Sequence, residues 1–264
     1  MQLENITQQI IHICADVASF INEQSGKLQK SDIIEKGAHD LVSYVDRTAE
    51  EMIVERLKMI LPEAGFLAEE SGSNTSETYN WIIDPLDGTT NFVHGIPIYS
   101  ISIALQKNLE TIIGVVHEMN QNECFYAWQG GSAYLNGVKI NVSKAEKLDQ
   151  SLIATGFPYN DFSRMEAYLS LFNELMRNTR GIRRLGSAAA DLAYVACGRF
   201  EVFYEYGLHP WDVAAGAFIV KQAGGKLNGF DGGDDVVFGK DIMASNGFVH
   251  EEMLQLIQKH FRLK

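Results

Sequence analysis

The sequence is poor in the residues that cross-link a fold or cage a soft metal. Its three cysteines, Cys14, Cys124 and Cys197, lie far apart and form no CxxC pair. That excludes a disulfide framework and points to buried or incidental thiols in a reducing compartment. The seven histidines, His12, His39, His94, His117, His209, His250 and His260, include no HxxxH spacing, which disfavours zinc. No run approaches the roughly 18–20 apolar residues of a membrane-spanning helix. The opening residues, MQLENITQQIIHICADVASF, lack the basic start of a signal peptide. The expectation is a cytoplasmic protein with no membrane partner. Basic residues are also in short supply, 22 against 34 acidic, for a net charge of −12. A nucleic-acid partner is therefore not expected, because a phosphate backbone needs a basic footprint. There is no GxSxG elbow to present a serine nucleophile. GDDVVFGKD, residues 233–241, has five residues between its glycines where a P-loop needs four, and Asp241 where serine or threonine belongs.

What the chain does have is apolar content. Of its 264 residues, 46% are hydrophobic and 21% charged, enough for a sizeable core and inconsistent with wholesale disorder. Leu3, Ile6, Ile10, Ile13, Val17 and Phe20 recur at steps of three and four, an amphipathic helix over 3–22. A polar loop over 26–40 and a helix over 46–60, ended by Pro62, follow. Segments 79–83, 98–105, 111–117 and 123–128 are short and rich in β-branched and aromatic residues, with polar links QKNLE and EMNQNE between the last three, so they read as an antiparallel meander. Beyond about residue 145, strands at 151–155, 181–185, 200–206 and 242–245 alternate with helices at 162–177, 187–197, 211–223 and 249–262. That alternation indicates layered α and β structure. The spacing predicts two subdomains, 1–145 and 146–264, sharing one cleft.

The chemistry concentrates at WIIDPLDGTTNF, residues 81–92. An apolar strand ends in Asp84 and Asp87. Pro85, lacking an amide hydrogen, is expected to stop the ladder there, and the Leu86 carbonyl is free to turn with the carboxylates. Gly88 permits close backbone approach, and Thr89 and Thr90 suit the cap of a helix whose free amides attract an anion. Carboxylates for a cation beside amides for an anion fit a metal-phosphate site. A plain Asp-Gly turn followed by a helix cap is the ordinary alternative. Three further acids, Glu69 in FLAEES, Asp212 in HPWDVAAG and Asp46 in DLVSYVD, also stand at the entrance of an element beside apolar sequence. Each alone is a solvated loop residue or a helix cap. Together in one partly dry cleft they would repel one another severely, unless their pKa values rose or cations neutralised them. Oxygen donors select hard ions, Mg²⁺ or in its place Mn²⁺.

EES at 69–71, WIIDPLDGTTNF at 81–92 and WDVAAG at 211–216, in that order and at those separations, resemble the signatures of the inositol monophosphatase family. The resemblance implies a five-layered αβαβα sandwich, a homodimer, and lithium-sensitive, Mg²⁺-dependent hydrolysis of a phosphate monoester, inositol monophosphate first of all. It implies Glu69, Asp84, the Leu86 carbonyl, Asp87 and Asp212 as ligands of two or three Mg²⁺ ions, with Glu70 beside the site and not a ligand. Asp46 and Thr89 would handle the proton of the attacking water, which Glu69 helps to present. Gly88, Thr89 and Thr90 would hold the phosphate. Gly186, Ser187, Ala188 and Glu205 would face the alcohol, and Asp212 would border both metal and substrate. Ser43 stands where threonine is usual, Pro210 occupies a variable position, and the 26–40 loop, which in the family helps hold a third metal, is only loosely similar. NADP⁺, fructose 1,6-bisphosphate and 3′-phosphoadenosine 5′-phosphate are alternative substrates. A regulatory module keeping a metal site without turnover, or a structural Ca²⁺ site, is the alternative from another class.

Overall fold

The fold was taken from a computed structural model, which describes residues 2–27, 33–37, 40–159 and 161–263. Helices α1 (Leu3–Gln24) and α2 (Tyr44–Ile60) flank a hairpin of β1 (Ile33–Gly37) and β2 (Asp40–Ser43). Next come β3 (Gly65–Ala68), β4 (Gly72–Asn74) and β5 (Tyr79–Asp87), the short helix α3 (Thr89–Val93), β6 (Ser100–Lys107), β7 (Glu110–Glu118), β8 (Glu123–Trp128), β9 (Ala133–Leu135) and β10 (Val138–Lys139). The rest alternates through β11 (Leu152–Thr155), α4 (Met165–Asn178), β12 (Gly181–Arg183), α5 (Ala188–Ala196), β13 (Val202–Tyr206), α6 (Pro210–Gln222), β14 (Lys226–Asn228), β15 (Asp241–Ser245) and α7 (His250–Phe261).

These elements stack in five layers because each sheet is apolar on both faces. The eight-stranded sheet runs β10-β9-β8-β7-β6-β5-β3-β4, antiparallel except for the parallel pair β3–β5. The expected meander is its centre. Along β5 the side chains alternate: Trp81 and Ile83 pack with α1 and α2, whereas Ile82 turns to the other face and joins α5 and α6. The five-stranded sheet, β12-β11-β13-β15-β14, closes over the same two helices through Ala154, Phe203, Ile242 and Ala244. Its outer face, with Ile153, Val202, Tyr204 and Met243, is covered by Tyr168, Leu171 and Leu175 of α4 and Met253 and Ile257 of α7. Fully burying each such side chain contributes roughly 1.5–3 kcal/mol. The order α1/α2, sheet, α5/α6, sheet, α4/α7 is the αβαβα sandwich that the resemblance implies. The middle helices are alanine-rich, AAADLAYVA and PWDVAAGAFIVKQ, so they can lie close to two sheets at once. No described helix is long and apolar enough to cross a membrane.

Several expectations need correction. Part of the 26–40 loop is the β1–β2 hairpin, paired in register from Ile33↔Ser43 to Gly37↔Asp40; residues 28–32 and 38–39, on which the third-metal expectation falls, lie outside the described residues. Helix α2 begins two residues before Asp46, with Ser43 as its N-cap. Pro85 does not end its strand. The β5–β6 ladder passes from Asp84↔Ser102 to Asp87↔Ser100, so three steps on β5 oppose two on β6. A bulge accommodates the missing amide hydrogen and pairing resumes beyond it. The cap of α3 is Gly88, with Thr89 and Thr90 its first helical residues.

Candidate active site

The bulge at Pro85–Leu86 decides what Asp84 and Asp87 can do together. In a regular strand, residues three apart face opposite sides. The extra residue reverses that, and both aspartates line one cleft of about 800 Å³. One local bond fixes the first: Asp84 Oδ1 accepts from the Leu86 amide at 2.9 Å; its ladder partner Ser102 donates through its hydroxyl to the Trp211 carbonyl at 3.0 Å. That bond brings the start of α6, and so Asp212, to the same place. Asp212 is the third residue of α6, accepts from the His209 amide at 2.7 Å, and lines the cleft. Glu69, just past β3, arrives through β3–β5 pairing and the bond from its amide to the Ile83 carbonyl at 3.2 Å.

The gathering has an electrostatic consequence. Burial drives the Asp84 carboxyl well above its usual range, and the negative charges of Glu69, Asp87 and Asp212 push it further. Enclosure raises Asp87 to about 6, against the pull of the Ser187 hydroxyl, the Ala189 and Ala188 amides and Arg184. The Ser187 hydroxyl donates to Asp87 Oδ2 at 2.6 Å and the Ala189 amide to the same oxygen at 2.7 Å. Since that proton is committed, Ser100 is the donor in its 2.9 Å bond to Ser187. Ser187 thus orients Asp87, while Gly186 and Ala188 line the cleft beside it. Glu205, on β13, also lines it; burial raises its carboxyl to about 8.

Asp46 sits beneath the cleft, 1% exposed. One of its oxygens takes the Ser43 amide (2.8 Å) and hydroxyl (2.7 Å), completing a capping box; the other takes the Thr89 hydroxyl at 3.0 Å. Asp46 is therefore a helix cap and, through its other oxygen, the partner of Thr89. Thr89 Oγ1 is also 3.0 Å from the Leu86 carbonyl, and its single proton can serve one acceptor at a time. The carboxylate is the stronger. Gly88, at φ 97°, stands in left-handed backbone with Gly186 and Ile98 carbonyls at 3.0 and 3.2 Å from where a Cβ would lie, so only glycine turns the chain here. Asn91 anchors the turn, donating to the Ile98 and Leu185 carbonyls at 2.7 and 2.8 Å.

Among the described residues, no three histidine, cysteine, aspartate or glutamate side chains stand as a group already arranged to hold a metal ion. Asp84, Asp87 and Asp212 instead rest on backbone amides. The donor chemistry nonetheless fits a hard divalent ion: carboxylates from separate segments beside the Leu86 carbonyl, with neither sulfur nor imidazole among them. Charge repulsion at Asp84 is what such an ion would relieve.

Sequence reasoning missed three contributors. Glu50, buried on α2, accepts from the Glu70 and Ser71 amides at 2.8 Å each and so holds the loop that carries Glu69. Glu50→Gln turns an amide donor toward one of those N–H groups. It is expected to raise the Mg²⁺ concentration for half-maximal activity by about tenfold, with kcat at saturating Mg²⁺ within about twofold. A loss of kcat with unchanged Mg²⁺ dependence would contradict this role. Arg184 lines the cleft with its guanidinium over the Phe157 and Tyr159 rings. Asp191, 1% exposed on α5, lines it too, and its Oδ1 has no hydrogen-bond partner. An orphaned buried acceptor costs about 1–3 kcal/mol. A signal existed: Asp191 is the one acid in an apolar helix and lies four residues after Ser187, on the same face.

Comparisons with known proteins bear on ancestry and fold. The sequence matches the model of the Inositol monophosphatase family over residues 2–262. It is 38% identical to an inositol-1-monophosphatase of Mesorhizobium japonicum, over 90% of this chain and 91% of the relative. It is 41% identical to the Nus factor SuhB of Pseudomonas aeruginosa, over 88% and 89%. The crystal structure of the extragenic suppressor protein suhB from Bartonella henselae superposes with a TM-score of 0.92 at 36% identity, covering 97% of this chain and 99% of that one. One relative carries an enzyme's name and another a factor's, but fold, motifs and coverage agree on ancestry: the chain belongs to the inositol monophosphatase family, a family of phosphatases.

Proposed function

We propose that this chain hydrolyses a phosphate monoester of a polyol, inositol monophosphate being the leading substrate, with Mg²⁺ as its cofactor. The observation that carries the reading is the convergence of Glu69, Asp84, Asp87 and Asp212 beside the Gly88–Thr90 turn, with the Thr89 hydroxyl held by Asp46. Glu69, Asp84, the Leu86 carbonyl, Asp87 and Asp212 would hold two or three ions. When bound, Mg²⁺ supplies Lewis acidity, activating water at neutral pH and offsetting charge on the ester oxygens. The ions also answer the field problem, since a chain of net charge −12 otherwise repels an anionic substrate.

The protein's own groups position and move protons. Asp46 draws the Thr89 hydroxyl proton to itself, which leaves a Thr89 lone pair to accept from the attacking water. Such acid–base help is worth about 10²–10⁴-fold. Monoester hydrolases reach accelerations of up to roughly 10²¹-fold, so charge stabilisation has to supply the larger part. The amides of Gly88, Thr89 and Thr90 would donate to the non-bridging oxygens, whose charge is spread over the transferring group. Glu205 would accept from alcohol hydroxyls. The same reading takes 1–145 and 146–264 as subdomains meeting at the cleft of a homodimeric, cytoplasmic, lithium-sensitive enzyme.

An initial-rate panel tests this, comparing inositol monophosphate, NADP⁺, fructose 1,6-bisphosphate and 3′-phosphoadenosine 5′-phosphate, with Mg²⁺ and with EDTA. Release of phosphate from the inositol ester above all, abolished by EDTA, is expected. Preference for another ester would reassign the substrate. No release from any would leave the reading of a non-catalytic metal-binding module.

A further inference from the structure

Asp191 and Arg184 share a feature that the proposed chemistry does not use. Asp191 Oδ1 and Arg184 Nε are both buried atoms without a hydrogen-bond partner, and both residues line the cleft. Buried polar groups are ordinarily paired, so two orphans of opposite kind on one wall ask what completes them. The surroundings narrow the answer. Asp191 lies close enough to Glu205 and Asp87 to feel both charges, and Arg184 is the cation opposing them. The Glu205 carboxyl is packed onto Gly156, where any side chain would collide with it. Arg184 is braced by rings, its guanidinium 5.7 Å from Phe157 and 5.4 Å from Tyr159.

A second phosphate would suit Arg184, but Asp191 and Glu205 would repel it. A cation would suit the carboxylates but not the guanidinium. A hydroxyl meets both demands: its lone pair accepts from Arg184 N–H while its proton goes to Asp191. Neighbouring hydroxyls on one ring would meet Glu205 as well.

We propose that Asp191, with Arg184, forms a hydroxyl-recognition subsite for the alcohol part of the substrate, and that Asp191 is a specificity-determining residue. This rests on the polyol-ester reading above. It explains why a buried acid is kept in an apolar helix: its unmet acceptor is completed by substrate, and an ester lacking that hydroxyl leaves it unmet.

The test compares wild type, Asp191→Leu and Asp191→Asn on inositol monophosphate and on p-nitrophenyl phosphate, which has no hydroxyl beside its ester. Leucine fills the space without polar atoms, and replacing an orphaned buried acid with it is expected to keep or raise the melting temperature. For inositol monophosphate, KM rises about tenfold or more in Asp191→Leu, while kinetics on p-nitrophenyl phosphate stay within about twofold. Should leucine fail to fold, Asp191→Asn carries the test, with a rise of about threefold or more on the polyol ester alone. Equal losses on both esters, or an unchanged KM for inositol monophosphate in a folded variant, would overturn the subsite. A wild type that does not favour inositol monophosphate over p-nitrophenyl phosphate would instead sink the polyol reading, and the subsite with it.

Discussion

Asp84→Asn will raise the melting temperature of the metal-free protein and cut kcat by about 10³ or more. The two effects share one cause. Asp84 is buried and faces the charges of Glu69, Asp87 and Asp212, so in the absence of cations its charge opposes folding. Asparagine keeps the oxygen that accepts from the Leu86 amide at 2.9 Å and removes that charge. Relief of about 1 kcal/mol corresponds to roughly 2–4 °C at this size. The same change removes a carboxylate from the proposed ligand set, and three powers of ten in rate correspond to about 4 kcal/mol of transition-state stabilisation. Asp87→Asn makes the control. Its Oδ2 receives both the Ser187 hydroxyl and the Ala189 amide; an asparagine oxygen can accept the same two bonds but without the charge that strengthens them, so this variant should gain less stability than Asp84→Asn while losing activity. Thermal unfolding in EDTA and initial rates in Mg²⁺ separate the cases. A destabilised Asp84→Asn, or one with near-normal turnover, would mean that the acids do not share a strained site.

Thr89→Ala should lower kcat by about 10²–10³-fold, the range for a lost proton-transfer group, while changing the affinity for inorganic phosphate little. Asp46 retains the Ser43 amide and hydroxyl after this substitution, so the start of α2 stays capped and the fold intact. Thr89→Ser restores the hydroxyl and should recover activity to within about tenfold of wild type. An effect confined to KM, or serine behaving like alanine, would contradict the role in proton transfer.

Which features could be read in advance follows from how local their causes are. The periodicity of Ile6, Ile10, Ile13 and Val17 identified α1, and apolar runs with polar links identified β5 to β8, because one segment's own pattern decides each. The β1–β2 hairpin, β4, β10 and β14 are two to five residues long, too short for periodicity to register; β1 and β2 exist through pairing with each other, and β4, β10 and β14 through pairing with longer strands. Pro85 was misread for a similar reason. Its lost hydrogen bond is a local fact, but the ladder resumes at Asp87–Ser100 because β6 is already in place. Asp46 and Asp212 presented a different difficulty. Each is the third residue of its helix, in a capping box, and each also serves the cleft, Asp212 by lining it and Asp46 through its bond from Thr89. Sequence treats cap and site as competitors, whereas a carboxylate with two oxygens serves both. Asp191 and Arg184 acquire meaning only through atoms that α5 and the chain before Gly186 bring to one cleft.

The most direct measurement is calorimetric titration of metal-stripped protein with Mg²⁺ in the presence of inorganic phosphate. Saturable uptake of about two ions per chain, greatly weakened in Asp84→Asn, is the predicted result. A folded wild-type protein that takes up neither Mg²⁺ nor Mn²⁺ under these conditions would contradict the account.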